Sequence, residues 1–360
     1  MNILYDHSIF RLQRYGGISK YFYELIKRFI NENNIHLFKG ININEYNLEQ
    51  YKDKFASYTN YKISEVKYAG FFTNKINNIW FDKIYSKMSN GIYHPTYYRM
   101  NLKKFDKIPV VLTVYDMTYE LYPQYFWNSK FVIQSKKNSI EHADAIICIS
   151  ENTKKDLLRF YDVPEDKISV VYMGCSSDTK IYQNINVSKK PYLLYVGDRS
   201  VPYKNFWKFF ESYTKYLSDK YNLVLFGNDF SKQERMFMVN NNIQNKVIRL
   251  QGNDTLLSNV YHKAYCLVYP SLYEGFGIPL IEAMSNGCPV TVSNASSLPE
   301  VAGKACMMFD PLYESEMVES ILSVQDHRSW LIENGYKQAK KFSWDKTAFQ
   351  TMKVYASVTK

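Results

Sequence analysis

Glu274 and Glu282 are separated by seven residues in the run SLYEGFGIPLIEAMSNG, residues 271–287. The residues before them, AYCLVYPS (264–271), are continuously apolar, the pattern of a parallel strand buried on both faces. Glu274 is therefore expected just past the carboxyl end of a strand. Pro279 suits the first turn of a following helix. Gly275 and Gly277 permit close backbone approach and unusual φ. The amides of Phe276, Gly277 and Ile278 would then lie at a helix amino terminus, which attracts anions, with Glu282 one turn further in. Carboxylates accept hydrogen bonds from hydroxyls. An anion with hydroxyls on both sides is what a nucleotide sugar offers: ribose, diphosphate, hexose. Taken alone, the same two residues also read as a helix-dipole glutamate and a solvated loop residue.

The rest of the chain must supply the frame. At 360 residues it exceeds the span of one growing core, so two domains are expected. Short apolar runs read as strands: NILYD (2–6), IHLFKG (35–40), GIYHP (91–95), PVVLTVYD (109–116), ADAIICIS (143–150) and KISVVYMG (167–174). A polar stretch, 175–190, reads as a linker. The strand series resumes with PYLLYVGD (191–198), NLVLFGND (222–229), KVIRLQG (246–252), AYCLVYPS, PVTVS (289–293) and ACMMFD (305–310). Helical spacing fills the gaps, as in SENTKKDLLRFY, where Ser150 or Asn152 can cap the start. Alternating strands and helices predict an α/β fold of two Rossmann-like domains, residues 1–174 and 191–342. A last helical segment, 343–360, is free to pack on either domain, packing back on the first being one of the two arrangements. Ligands bind at the carboxyl ends of such strands, so the expected site is a cleft between two facing domains.

Composition narrows the classes. The net charge of +10 is spread over both halves and fits an anionic ligand or surface. No nucleic-acid recognition module is visible, so no nucleic-acid partner is expected. The five cysteines are odd in number, lack a CxxC pair and fall mostly in apolar runs, which reads as reduced core thiols. The amino terminus lacks the order of a signal peptide and no apolar run approaches a membrane span, so a cytoplasmic protein is expected. Residues 51–83 mix Lys with Phe, Tyr and Trp. They read either as a peripheral membrane face at the inner leaflet or as an ordinary segment with core aromatics.

The Glu274–Glu282 run resembles the signature of glycosyltransferase family 4, retaining enzymes of the GT-B fold. The likeness is continuous over 268–303 and continues through YVGDRSVPYKNF (195–206), IICISENTKKDL (146–157), YHPTYY (93–98) and RYGGISKYF (14–22). It implies transfer of a hexose, mannose or a related sugar, from a GDP- or UDP-sugar to a glycan or lipid-linked acceptor in surface polysaccharide assembly. It implies no metal and no cofactor beyond the donor, and the chain has no Asp-x-Asp pair. A non-catalytic nucleotide-sugar or carbohydrate-binding protein on the same fold is the alternative.

The resemblance also distributes roles. A departing diphosphate needs fixed positive charge, and Arg199 and Lys204 match the family's cations, the arginine able to fork onto phosphate oxygens. Glu282 would hold the ribose, Glu274 the donor sugar, and the Phe276–Ile278 amides the sugar and phosphates. The base would meet the loop near Gln251. Gly16 and Gly17 would approach the donor from the end of the first strand. Where many relatives carry His-Asp near the reacting carbon, this chain has Tyr115-Asp116. Tyrosine is no proton acceptor at neutral pH, which leaves Tyr115 a hydrogen bond or gives Asp116 the polar role. His94 is either an acceptor-side residue or a structural histidine.

Overall fold

A computed structural model describes residues 1–64, 70–175 and 187–359. The chain divides into two compact units, residues 1–173 with 344–360, and residues 174–343. Most of the expected 175–190 linker lies outside the described residues.

The first unit alternates as anticipated. It comprises β1 (Asn2–Tyr5), α1 (Ser8–Leu12), α2 (Gly17–Phe29), β2 (Asn34–Asn42), β3 (Ser57–Lys62), α3 (Gly70–Tyr85), β4 (Ile92–His94), β5 (Val111–Val114), α4 (Thr118–Leu121), α5 (Ser129–Glu141), β6 (Ala145–Cys148), α6 (Glu151–Phe160) and β7 (Ile168–Val170). All pairings are parallel, in the orders β3-β2-β1-β4 and β5-β6-β7. A parallel bridge between Tyr93 and Val110 joins the two sets. Helix α2 turns Tyr21, Phe22, Leu25, Ile26 and Phe29 inward at helical spacing. Ser150 caps α6, its hydroxyl accepting from the Thr153 amide at 3.0 Å.

The second unit holds β8 (Tyr192–Val196), α7 (Phe206–Ser212), β9 (Asn222–Phe226), α8 (Lys232–Asn240), β10 (Val247–Leu250), α9 (Asp254–Lys263), β11 (Cys266–Tyr269), α10 (Ile278–Ser285), β12 (Val290–Ser293), α11 (Leu298–Ala302), β13 (Met307–Phe309), α12 (Glu314–Leu322) and α13 (Val324–Ala339). Its single parallel sheet runs β10-β9-β8-β11-β12-β13. The order reverses between β8 and β11, a doubly wound sheet with its switch point there. Phe206, Phe209 and Phe210 of α7 are fully buried with Tyr195 and Leu225. Each such side chain contributes about 1.5–3 kcal/mol, and truncation of Phe209 to alanine would cost about 3–5 kcal/mol. Helix α14 (Trp344–Val358) belongs to the first unit; the Thr347 hydroxyl donates to the Tyr172 carbonyl at 2.8 Å.

Two elements depart from the reading of the sequence. RLQRYGG does not follow β1 as a plain loop, because Ile9 and Phe10 are buried and close a short helix first. Strand β3 falls inside 51–83, where no strand is expected; it is an edge strand, largely exposed, so its residues SYTNYK carry no buried alternation. All five cysteines are free thiols, three of them buried. Among the described residues no helix is long and apolar enough to cross a membrane.

Candidate active site

The loops that leave β8 and β11 meet at the switch point of the second sheet. The Leu272 amide donates to the Tyr203 carbonyl at 2.8 Å and ties one loop to the other. Across this tie Lys204 Nζ donates to both carboxylate oxygens of Glu274, at 2.6 and 2.7 Å. Seventy positions separate the two residues in the chain, and the sheet order alone brings them together. The Ser271 hydroxyl donates to the same carboxylate at 2.7 Å. The backbone around Glu274 is pinned by two serines. Ser296 Oγ accepts from the Glu274 amide at 2.9 Å, and Ser297 Oγ donates to the carbonyls of Glu274 and Phe276. Glu274 is 9% exposed, so its charge is held at the edge of solvent by a fixed cation.

Helix α10 opens as its sequence requires. Gly277 occupies the position before it with φ of 100°, a left-handed conformation. A methyl group there would meet Leu298 at 2.9 Å. Gly275 does not adopt positive φ, so of the two glycines only Gly277 needs that freedom. Phe276 turns its ring inward against Phe342, at 5.6 Å between centroids, and offers the site backbone only. Pro279 occupies the first turn of α10, and Glu282 lies one turn in, half-buried. The buried Tyr261 hydroxyl donates to Glu282 at 3.4 Å.

Arg199 departs from its expected pose. Its Nε is paired with Glu234, and its Nη2 donates to the carbonyls of Asn228 (2.8 Å) and Asp229 (3.1 Å). Glu234 in turn closes the capping box of α8 with Ser231. A two-pronged grip on phosphate is therefore not available to this arginine, because Nε is committed to Glu234 of α8 and Nη2 to the loop after β9. Nη1 is the exception: it is buried and has no partner among the described residues. It lies by Gly227, where a methyl group would come within 4.0 Å of it. An orphaned cationic nitrogen beside a strand end suits an anionic ligand.

Gln251 follows β10 and is exposed, its side-chain oxygen accepting from Arg249. Arg249 also pairs with Asp229 at 3.2 Å, linking the loops after β9 and β10.

The first unit corrects several expectations. His94 is fully buried, and both ring nitrogens are engaged: Nδ1 with the Tyr355 hydroxyl at 2.6 Å, Nε2 with the Thr113 hydroxyl at 2.9 Å. Burial pushes its pKa down to about 3. It is a structural histidine that fastens α14, and no ring nitrogen is left for an acceptor. The Tyr115 side chain is likewise interior, packed edge-on against Tyr21 at 6.1 Å, and burial drives its hydroxyl well above the usual tyrosine range. The hydroxyl lies near Thr113 without the geometry of a hydrogen bond. Tyr115 therefore takes no part at an exposed site. Asp116 stays half-buried just past β5, its carboxylate accepting from the Thr118 amide at 2.9 Å. Gly16 and Gly17 start α2 rather than end β1. Gly16 lacks a side chain because the Gln13 carboxamide, which accepts from the Ser19 amide at 3.0 Å, passes over it.

Sequence reasoning missed Ser271, Ser296, Ser297 and Glu234. Ser271 was visible as a hydroxyl next to a strand end. Glu234 sits in a helical run with no motif of its own. Among the described residues no group of three or more His, Cys, Asp or Glu could hold a metal.

Residues 177–338 match the family described as Glycosyl transferases group 1, and residues 15–178 match Glycosyltransferase Family 4. The O-antigen chain mannosyltransferase B of Escherichia coli is 31% identical over 68% of this chain and 69% of its own length. The O-antigen chain mannosyltransferase RfbU of Salmonella typhimurium is also 31% identical, over 59% of this chain and 60% of its own. Among solved structures, a glycosyltransferase from Rickettsia africae superposes with a TM-score of 0.73 at 16% identity, covering 100% of this chain and 98% of that one. Anabaena HepE, solved with UDP-glucose, gives 0.76 at 13% identity, covering 99% and 100%. The paired loops at the β8–β11 switch point, the two family matches and the shared GT-B fold agree: the chain belongs to glycosyltransferase family 4.

Proposed function

We propose that this glycosyltransferase moves a hexose, mannose or a related sugar, from a GDP- or UDP-sugar to a glycan or lipid-linked acceptor of a surface polysaccharide, in the cytoplasm, without a metal. The mannose assignment is supported by the two O-antigen mannosyltransferases to which it is similar. The single observation that carries the site is the Lys204–Glu274 pair at the switch point. An ammonium and a carboxylate held together there match the two ends of the scissile bond, phosphate and sugar.

On this reading the donor's diphosphate takes Lys204 from Glu274, and the carboxylate so freed accepts from the sugar hydroxyls. Arg199 Nη1 offers a second cationic donor, and the α10 amino terminus attracts the diphosphate. Glu282 holds the ribose, and the loop containing Gln251 receives the base. When the bond from the anomeric carbon to the diphosphate oxygen breaks, the charge that develops on that oxygen is met by Lys204 and Arg199. The acceptor hydroxyl attacks from the same face, and its proton passes to the departing phosphate oxygen. Configuration is retained with no covalent intermediate, unlike the double displacement of retaining glycosidases.

Screening the intact protein by mass against GDP- and UDP-sugars, with chelator present, tests the donor class; release of the free nucleotide with transfer of the sugar is the expected product. Binding without turnover on any donor would leave a binding protein instead. Glu274→Gln should lose most activity and trap no glycosyl-enzyme. An adduct on the intact protein would defeat the same-face route.

A further inference from the structure

Among the described residues, three that are not glycine hold φ in the left-handed region: Asn205 at 55°, Asn242 at 56° and Ser296 at 51°. Asparagine adopts this conformation readily, and Asn242 follows the last turn of α8, where it is ordinary. The other two bear on one ion pair. Asn205 directly follows Lys204; its amide donates to the Pro202 carbonyl at 2.9 Å and its carboxamide to the Pro311 carbonyl at 3.0 Å. Ser296 reaches the other partner, its hydroxyl accepting from the Glu274 amide at 2.9 Å. Serine has no special tolerance for left-handed backbone, so glycine would be the less strained residue at 296. What glycine lacks is the hydroxyl. Strand β11 ends at Tyr269, so the Glu274 amide lies beyond the ladder, and Ser296 is its one acceptor among the described residues. The next residue, Ser297, donates to the Glu274 carbonyl at 2.9 Å, and Ser293 donates to the Ser271 carbonyl. The turn after β12 thus grips the Glu274 loop by its backbone.

We infer that Ser296 is a positioning residue of the transfer reaction, which deepens the proposed function and rests on its reading of Glu274. On that reading the carboxylate gives up Lys204 and takes the sugar hydroxyls instead. A side chain that changes partners stays aimed only if its backbone is held by something else. Lys204 cannot hold it once it has turned to the diphosphate, and the Ser271 hydroxyl holds the carboxylate rather than the main chain. The bond from the Glu274 amide to Ser296 uses no atom of the carboxylate, so the exchange leaves it intact. Backbone strain of this kind persists where the surrounding structure enforces it, and here it lies one hydrogen bond from the carboxylate proposed to hold the sugar.

The test sets Ser296→Gly beside Ser296→Ala in the full chain. Glycine relieves the strain, alanine keeps it, and both remove the acceptor. In both, the Glu274 amide should exchange with deuterium about tenfold faster or more, read by mass spectrometry, while Ser296→Gly melts no lower than wild type. With the GDP- or UDP-sugar that wild type turns over, both should lose about tenfold in kcat at nearly unchanged KM. Because Ser296 acts through Glu274, adding Ser296→Gly to Glu274→Gln should cost less than about twofold more. Unchanged exchange at Glu274, or losses that multiply in the double variant, would overturn the inference. Wild-type kcat in Ser296→Gly beside an impaired Glu274→Gln would sink this inference alone. Wild-type kcat in Glu274→Gln would sink the reading of Glu274 and this inference with it.

Discussion

In the first unit the strand order reverses between β1 and β4; in the second, between β8 and β11. At the first of these points Asp6, fully buried, accepts from Arg99 at 2.7 Å, from the Thr96 hydroxyl and amide, and from the Tyr93 hydroxyl at 2.8 Å. Every partner of that carboxylate is another part of the protein. Burial alone would raise the Asp6 pKa, but Arg99 and the hydrogen bonds outweigh it and hold the carboxyl below the usual range. At the second point the carboxylate is Glu274, its cation Lys204 is partly exposed, and one nitrogen of Arg199 has no partner among the described residues. The same topology thus yields a sealed structural knot in one unit and a partly exposed ion pair in the other. A switch point is a place where a ligand can be bound; the side chains on its loops decide whether the position is left open.

The comparison is broken most severely at its sealed end. Arg99→Met strands Asp6 as a buried charge and should cost about 3–5 kcal/mol of the first unit's stability, read from chemical denaturation. At the open end the loss should appear in rate. Glu274→Gln should lower kcat by about a hundred- to a thousandfold, close to 3–4 kcal/mol of barrier, with the melting of the second unit little changed.

Acid should separate the units as well. Burial pushes the pKa of His7 down to about 4 and that of His94 to about 3. Unfolded, both histidines take up protons near pH 6.5, while the folded forms stay neutral until far lower. The unfolded state therefore binds more protons as the pH falls, and stability declines below pH 6.5 by about 2 kcal/mol for each histidine by pH 5. The first unit's transition in calorimetry should move down accordingly, and His94→Gln should reduce the slope. A smaller effect is expected at Gly277→Ala. Left-handed backbone and the approach of Leu298 should cost the second unit about 1–2 kcal/mol.

The strands were legible because buried parallel strands are short apolar runs, and CLVY of β11 or AIIC of β6 can be little else. The Glu274 loop was legible for a related reason: proline, glycine and a strand end leave few local structures. What failed was whatever depends on direction. That His94 ends a strand is visible in the sequence; that it turns inward to Tyr355, 261 positions away, is not. Arg199 stands at the expected strand end, but its commitment to Glu234 depends on where α8 packs. The β3 edge strand escaped because an exposed edge carries no buried alternation, and residues 51–83 stayed between two readings because periodicity reports that a segment is amphipathic without saying which side meets the core.

The proposal that a diphosphate draws Lys204 away from Glu274 is tested most directly by calorimetric titration of GDP and UDP into wild type, Lys204→Met and His94→Gln, with chelator present. Lys204→Met should bind the preferred nucleoside diphosphate at least about tenfold more weakly, on the order of 1.4 kcal/mol, while His94→Gln binds it as wild type does. Equal affinity in wild type and Lys204→Met would contradict the account.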